Sequence, residues 1–239
     1  MEQQDILSMT LPELQAAVQE LSEPKFRAKQ IFNWLHQKRV TDFSEMTTLS
    51  LPFRERLASD FCINRLKIAK RLASSVDDTV KYLYELPDGN YVETVCMQYH
   101  HGTSLCISTQ VGCRMGCRFC ASAIAGFVRN LTPAEMLLQI YETERAQNCK
   151  ISSLVLMGIG EPLDNFDNVL RFLQLLSDPN GYGMSLRHVT VSTCGVVPKI
   201  LESSPPRKGE MRLSLTTRAS MPSSCSSSAA PSTLLMSVP

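Results

Sequence analysis

The sequence lacks any run of about 18 apolar residues, so no membrane-spanning helix is expected. Its acidic N-terminus lacks the apolar stretch of a secretory signal peptide, which predicts a cytoplasmic location. Net charge is only +1 at pH 7, so overall charge gives no indication of a nucleic-acid partner. With 44% hydrophobic and 20% charged residues, the composition is that of a globular protein that can bury a core.

Charge is also missing from residues 219–239, although one residue in five of the chain is charged. This segment contains eight serines and three prolines, and few large side chains. Such a composition cannot bury enough apolar surface to offset the entropy of ordering, which predicts a disordered tail.

Nine cysteines without a secretion signal favour metal chemistry in a reducing compartment over a disulfide framework. Three of them, Cys113, Cys117 and Cys120, have the spacing C-x3-C-x2-C. A structural zinc site needs four protein ligands, whereas three thiolates can hold three irons of a four-iron cluster and leave one iron open. Gly112 and Gly116 let the backbone approach closely. The spacing therefore predicts a 4Fe-4S cluster, with zinc as the alternative.

The periodicity of apolar residues divides the chain into four parts. Residues 1–75 have helical periods, and 76–103 contain β-formers around the turn Pro87-Asp88-Gly89-Asn90, which predicts an antiparallel meander. From 104 to 218 strands alternate with helices, which predicts an α/β fold with a parallel sheet. Residues 219–239 are the tail. We expect the active site at the carboxyl ends of the parallel strands.

Five basic residues without an intervening acid surround Phe32 and Trp34 in the helical part: Lys25, Arg27, Lys29, Lys38 and Arg39. Such a face can neutralise phosphates. A solvated surface, with the aromatic residues in the core, is the alternative.

Several motifs together resemble the radical S-adenosylmethionine (SAM) enzymes, and within them the RNA adenine-C2 methyltransferases. The resemblance runs from about Leu11 to Leu215. It rests on residues 26–31, 92–95, 106–120, 126–132, 157–163 and 191–198. It implies a partial radical-SAM (β/α) barrel, preceded by a small helical domain that helps to grip RNA and by a β-meander.

The resemblance also implies the cofactor sites. Cys113, Cys117 and Cys120 would bind the cluster, whose open iron would chelate SAM. The remaining contacts to SAM would come from residues at three strand ends: Gly160, Glu161, Ser192, Ser214, Leu215 and Thr216. The family has a histidine where Thr216 stands.

Glu93 and Cys106 are the catalytic candidates that the resemblance implies. Glu93 would accept a proton near the adenine, and Cys106 would help to remove the C2 proton and form a transient disulfide with a second cysteine. From the residues alone, Glu93 reads as an outward-facing strand charge and Cys106 as a small buried hydrophobe. Cys225 has no match in the family, and the other cysteines are interpreted as structural.

The implied activity is methylation of C2 of an adenosine in 23S rRNA and in tRNA beside the anticodon. A monomer served by an electron donor such as a flavodoxin is expected. The alternatives are the related C8 methyltransferase of the antibiotic-resistance type and a non-catalytic, zinc-containing RNA-binding module. The match fades after Leu215, so a truncated or frameshifted product that is inactive in methyl transfer is expected.

Overall fold

The computed structural model describes residues 3–117, 120–124, 126–196, 212–215 and 234–235; only the backbone is described for the last two ranges and for Ala123. None of the helices in this part has both the length and the apolar character that a bilayer crossing requires.

Three helices build the N-terminal part, as predicted. They are α1 (Leu11–Glu20), α2 (Phe26–Asn33) and α3 (Leu51–Asp60), and α2 continues into a π-helical turn over Trp34–Lys38. A capping box between Thr10 and Glu13 starts α1. Two short strands, β1 (Gln4–Asp5) and β2 (Phe61–Cys62), pair in parallel and close this part.

The remaining strands and two helices form the larger part of the molecule. They are, in chain order, β3 (Lys67–Ala73), β4 (Val80–Glu85), β5 (Tyr91–Tyr99), β6 (Gly102–Ile107), β7 (Gln110–Gly112), β8 (Phe127–Asn130), α4 (Pro133–Gln147), β9 (Ile151–Leu156), α5 (Phe166–Ser177), β10 (Val189–Thr193), β11 (Arg212–Leu215) and β12 (Leu234–Leu235).

One open, mixed sheet has the strand order β12-β11-β10-β9-β6-β5-β4-β3. Strands β3 to β6 are antiparallel, whereas β6, β9, β10 and β11 are parallel. The predicted meander and the predicted parallel sheet are therefore halves of one sheet, joined at β6. The fold is α/β, as predicted.

The two faces of this sheet differ in burial. The side chains on the covered face are buried, and they include Tyr82, Val92, Leu105, Leu154 and Val191. The opposite face, which we call the open face, carries half-buried side chains, and its residues in register are Lys81, Glu93, Val95, Cys106, Val155, Thr190 and Ser192.

A buried polar cluster joins the N-terminal part to the end of α4. The Arg39 guanidinium forms an ion pair with the Glu144 carboxylate, whose side chain is 2% exposed. Glu144 also accepts hydrogen bonds from the Ile151 N–H (2.6 Å) and the Tyr182 hydroxyl (2.8 Å). Arg39 therefore points inward and does not belong to the basic surface that the sequence predicted.

Three features differ from the sequence predictions or extend them. Strand β3 lies within the part predicted to be helical, because strand pairing to β4 overrides its weak local pattern. The β7–β8 hairpin was not predicted. Leu234–Leu235 pair with β11, so the prediction of disorder does not hold for these two residues of the tail.

Replacing Arg39 with Met should lower the free energy of unfolding by about 2–4 kcal/mol, because it leaves the buried Glu144 carboxylate without its cation. Urea denaturation measures this. Arg145→Met is the matched control: its partner Glu142 forms a more exposed pair with it, and the expected loss is below about 1 kcal/mol. Equal losses in both variants would contradict the role given to Arg39.

Candidate functional site

The predicted cluster loop lies between β7 and β8, and the hairpin fixes both of its ends. The Cys113 N–H donates to the Gly126 carbonyl (3.0 Å) where the loop closes. Gly112 has a φ of +70°, and a Cβ atom there would lie 1.7 Å from the Gly126 carbonyl oxygen. Any other residue at 112 would therefore force the two ends of the loop apart.

Cys113, Cys117 and Cys120 all lie on this loop and are half-buried free thiols. Burial raises the pKa of the Cys113 thiol, and the nearby Cys120 and Cys117 thiols raise it further. Within the described residues, however, no three His, Cys, Asp or Glu side chains are close enough to form a metal site. The donor set fits a thiolate-ligated cluster, since a bound cation would offset the mutual repulsion of the thiolates that raises this pKa.

The loop is also held from the side by Arg114. Its Nε atom lies 2.9 Å from Asp164 Oδ2, and its guanidinium stacks 3.9 Å from the centroid of Phe127. Asp164 accepts a second hydrogen bond from Gln110 Nε2 (2.8 Å). This connects the cluster loop to the segment that precedes α5.

The loop after β9 packs so closely against the end of β6 that no additional side-chain atoms fit between them. The Gly158 N–H donates to the Ile107 carbonyl (3.0 Å), and a Cβ atom at 158 would lie 2.7 Å from that carbonyl group. Gly160 has a φ of +106°, and a Cβ atom there would lie 2.6 Å from Gln110 Cβ. Both glycines of Gly158-Ile159-Gly160 are thus required by close packing.

The side chain of Glu161 is buried and directed towards β10. Its carboxylate accepts hydrogen bonds from the Leu163 N–H (3.0 Å), the Thr193 hydroxyl (2.5 Å) and the Cys194 N–H (2.8 Å). These bonds join the ends of β9 and β10. The carboxylate therefore positions the strand ends. The Glu161 backbone is held as well, since its N–H donates to Gln110 Oε1 (2.9 Å) and its carbonyl accepts from the Asp164 N–H (3.1 Å).

Ser108, the residue after β6, makes four hydrogen bonds in the centre of this region. Its N–H donates to Gln139 Oε1 (2.9 Å) and its carbonyl accepts from Gln139 Nε2 (3.0 Å). Its hydroxyl donates to the Glu93 carbonyl (2.6 Å) and accepts from the Ile159 N–H (3.0 Å). Ser108 and Gln139 are both fully buried. Sequence reasoning missed both residues.

Glu93 and Cys106 lie on the open face of adjacent strands. Val95 pairs with Cys106, so Glu93, two residues earlier on β5, shares that face. The Glu93 carboxylate is partly exposed and lies 2.6 Å from Lys81 Nζ. Burial raises the pKa of the Cys106 thiol, an effect partly opposed by a hydrogen bond with the Met157 backbone.

Ser192 lies on the open face of β10 and is paired in register with Ser214 of β11. Leu215 follows at the end of that strand. Thr216 lies outside the described residues. The eight described cysteines are free thiols, so the disulfide implied by the resemblance finds no support here, and Cys225 is outside the described residues.

Two family models match separate parts of the chain. The Ribosomal RNA large subunit methyltransferase N-terminal domain matches residues 4–63, and the Radical SAM superfamily matches residues 107–208. A probable dual-specificity RNA methyltransferase RlmN of Lachnoclostridium phytofermentans is 52% identical over 199 residues, which cover 82% of this chain and 55% of the relative. The chain belongs to the RlmN family of the radical SAM superfamily.

Other members of the RlmN family are similar over the same region. The protein of the same description from Clostridium novyi is 48% identical and that of Thermoanaerobacter pseudethanolicus 45% identical, with 58% and 62% of their lengths covered. A crystal structure of a radical SAM methyltransferase from Sphaerobacter thermophilus superposes with a TM-score of 0.81 at 33% identity, covering 89% of this chain and 63% of that one. The chain thus spans a little over half the length of the curated relatives.

Replacing Gln139 with Leu should lower the free energy of unfolding by about 2–4 kcal/mol, because both Ser108 backbone groups lose their buried partner. Chemical denaturation measures this. Gln174→Leu on the exposed face of α5 is the control, with an expected change within about 0.5 kcal/mol. If both variants were as stable as the wild type, the Ser108 bonds would not stabilise the site.

Proposed function

We propose that this chain carries the cofactor-binding part and the N-terminal helical part of a radical SAM RNA methyltransferase that modifies C2 of adenosine in 23S rRNA and tRNA. The observation that carries the proposal is the arrangement of the sheet. The cluster loop and the Gly160-Glu161 turn follow the carboxyl ends of β6 and β9, and Cys106 and Ser192 lie on the open face near the carboxyl ends of β6 and β10. In parallel α/β folds, this edge is where ligands bind.

In this proposal, Cys113, Cys117 and Cys120 hold a 4Fe-4S cluster. When bound, the cluster and SAM together supply one-electron cleavage of a carbon–sulfur bond, chemistry that belongs to the cofactors and not to the protein. The turn at Gly160 and Glu161 and the strand ends at Ser192, Ser214, Leu215 and Thr216 would bind and orient SAM.

Glu93 would accept a proton from the adenosine under modification. Its carboxylate is partly exposed on the open face, where a substrate can reach it, and Lys81 holds it by an ion pair of 2.6 Å. Cys106 lies on the neighbouring strand and on the same face. A base and a thiol so placed could act on one side of a bound nucleotide.

The relatives are described as probable dual-specificity RNA methyltransferases, which favours that activity over the C8 methyltransferase and over a zinc-containing module. Lys25, just before α2, and Lys29 on α2 are exposed, in keeping with a role in RNA binding, whereas Arg27 is held by Gln30 and by the Thr48 carbonyl. The flavodoxin-type electron donor, the monomeric state and the cytoplasmic location stay predictions.

Anaerobic reconstitution with iron and sulfide tests the cofactor assignment. Replacing any one of Cys113, Cys117 or Cys120 with Ala should abolish cluster binding, because two thiolates cannot hold three irons. Cys149→Ala removes a half-buried thiol elsewhere in the chain and should retain the full iron and sulfide content. Equal iron content in all four variants would refute the assignment.

Activity is tested with the reconstituted chain, a reductant, SAM and unmodified RNA. The expected product of the cofactor-binding part is 5′-deoxyadenosine, measured by chromatography and mass spectrometry. Zinc without iron after reconstitution, and no 5′-deoxyadenosine, would favour a non-catalytic module instead.

A further inference from the structure

Strand β3 forms one edge of the large sheet and is exposed at every residue. Its sequence, Lys-Ile-Ala-Lys-Arg-Leu-Ala, contains three cations and no acid. Cations on an edge strand discourage pairing with other chains, which is the ordinary explanation for them. Cations on either face of the edge strand would have this effect.

The register assigns the three cations to different faces. Lys70 lies opposite Leu83, and Leu83 lies opposite Glu93, so Lys70 shares the open face with the proposed proton acceptor. The two are separated by two inter-strand spacings, about 10 Å. Arg71 lies opposite Tyr82, which is fully buried on the covered face, and therefore points to the other side.

Among the described residues of the open face, Lys70 has no acidic partner. Lys81 is engaged by Glu93 at 2.6 Å, and Lys67 lies directly opposite Glu85. Lys70 faces Leu83 and forms no ion pair with any residue that the structure describes. A cation in this position is available to a ligand phosphate.

An exposed aromatic ring accompanies these cations. Tyr91 lies opposite Glu85 and two residues before Glu93, so it belongs to the open face, and 47% of its surface is exposed. An exposed ring on the same face as a free cation is a combination that binds single-stranded nucleic acid, since a base stacks on the ring and a phosphate contacts the cation.

We propose that Lys70 and Tyr91 form a contact patch for the RNA strand on either side of the nucleotide that Glu93 acts on. Tyr91 stacks on a flanking base, and Lys70 contacts a phosphate as the strand leaves the sheet over β3. The proposal rests on the proposed function for the identity of the ligand. It adds a substrate contact made by the sheet edge, separate from the N-terminal helices.

The test measures binding of the reconstituted 239-residue chain to a fluorescein-labelled tRNA anticodon stem-loop by anisotropy, at several salt concentrations. Lys70→Glu should weaken binding several-fold and reduce the slope of log affinity against log salt by about 0.7–0.9, the value of one phosphate contact. Tyr91→Ala should weaken binding about fivefold or more with no change in slope, because stacking is uncharged.

Arg71→Glu is the matched control, since it makes the same charge change at the neighbouring position of the same edge strand but on the other face. The affinity of Arg71→Glu for the RNA, and the slope of log affinity against log salt, should equal those of the wild type. Circular dichroism of each variant confirms that the fold is retained.

Equal weakening by Lys70→Glu and Arg71→Glu would overturn the patch, because overall charge would then explain the result. RNA binding by the wild type that neither Lys70→Glu nor Tyr91→Ala alters would also overturn it, while leaving the proposed function intact. A wild-type chain that holds its cluster but binds no RNA would overturn both the patch and the RNA part of the proposed function.

Discussion

The site depends on the paired hydrogen bonds between the Gln139 amide and the Ser108 backbone. Gln139 uses both ends of its amide on one residue, at 2.9 and 3.0 Å, in a fully buried setting where water cannot replace either bond. With its backbone so held, Ser108 can direct its hydroxyl to both Glu93 and Ile159. One residue thereby joins the strand of the proposed base, the strand of Cys106 and the loop after β9.

The sheet also brings residues that are distant in the sequence onto one surface. Glu93, Cys106 and Ser192 are spread over a hundred residues, yet the pairing of β5 with β6, β6 with β9 and β9 with β10 gives them a common face. Helices α4 and α5 occupy the other face and leave this one accessible. The same register that assembles the site extends the open face to β3 and its cations.

Local patterns in the sequence were sufficient for several parts of the molecule. The segment Thr132-Pro133-Ala134-Glu135 has the residue pattern of a helix start, and the Thr132 hydroxyl caps α4 while Glu135 completes the capping box. The cysteine spacing predicted that the three thiols share one loop, as they do, while their role as cluster ligands stays a prediction. These features depend on residues within a few positions of one another.

Features set by long-range pairing could not be read in this way. Gln139 is an ordinary residue for a helix interior, and nothing near it shows that it meets Ser108, 31 residues earlier. Strand β3 has too many cations to resemble a buried strand, and β7 and β8 are too short to give a period. The inward direction of Arg39 follows from Glu144, 105 residues later.

The central claim is that the open face beside the cluster loop is the reaction face. A crystal structure of the anaerobically reconstituted chain with SAM tests it most directly. The account predicts a cluster ligated by Cys113, Cys117 and Cys120, with SAM between the Gly160-Glu161 turn and Ser192 on the same side of the sheet as Glu93. A cluster held by other residues, or SAM bound on the helix-covered side, would contradict it.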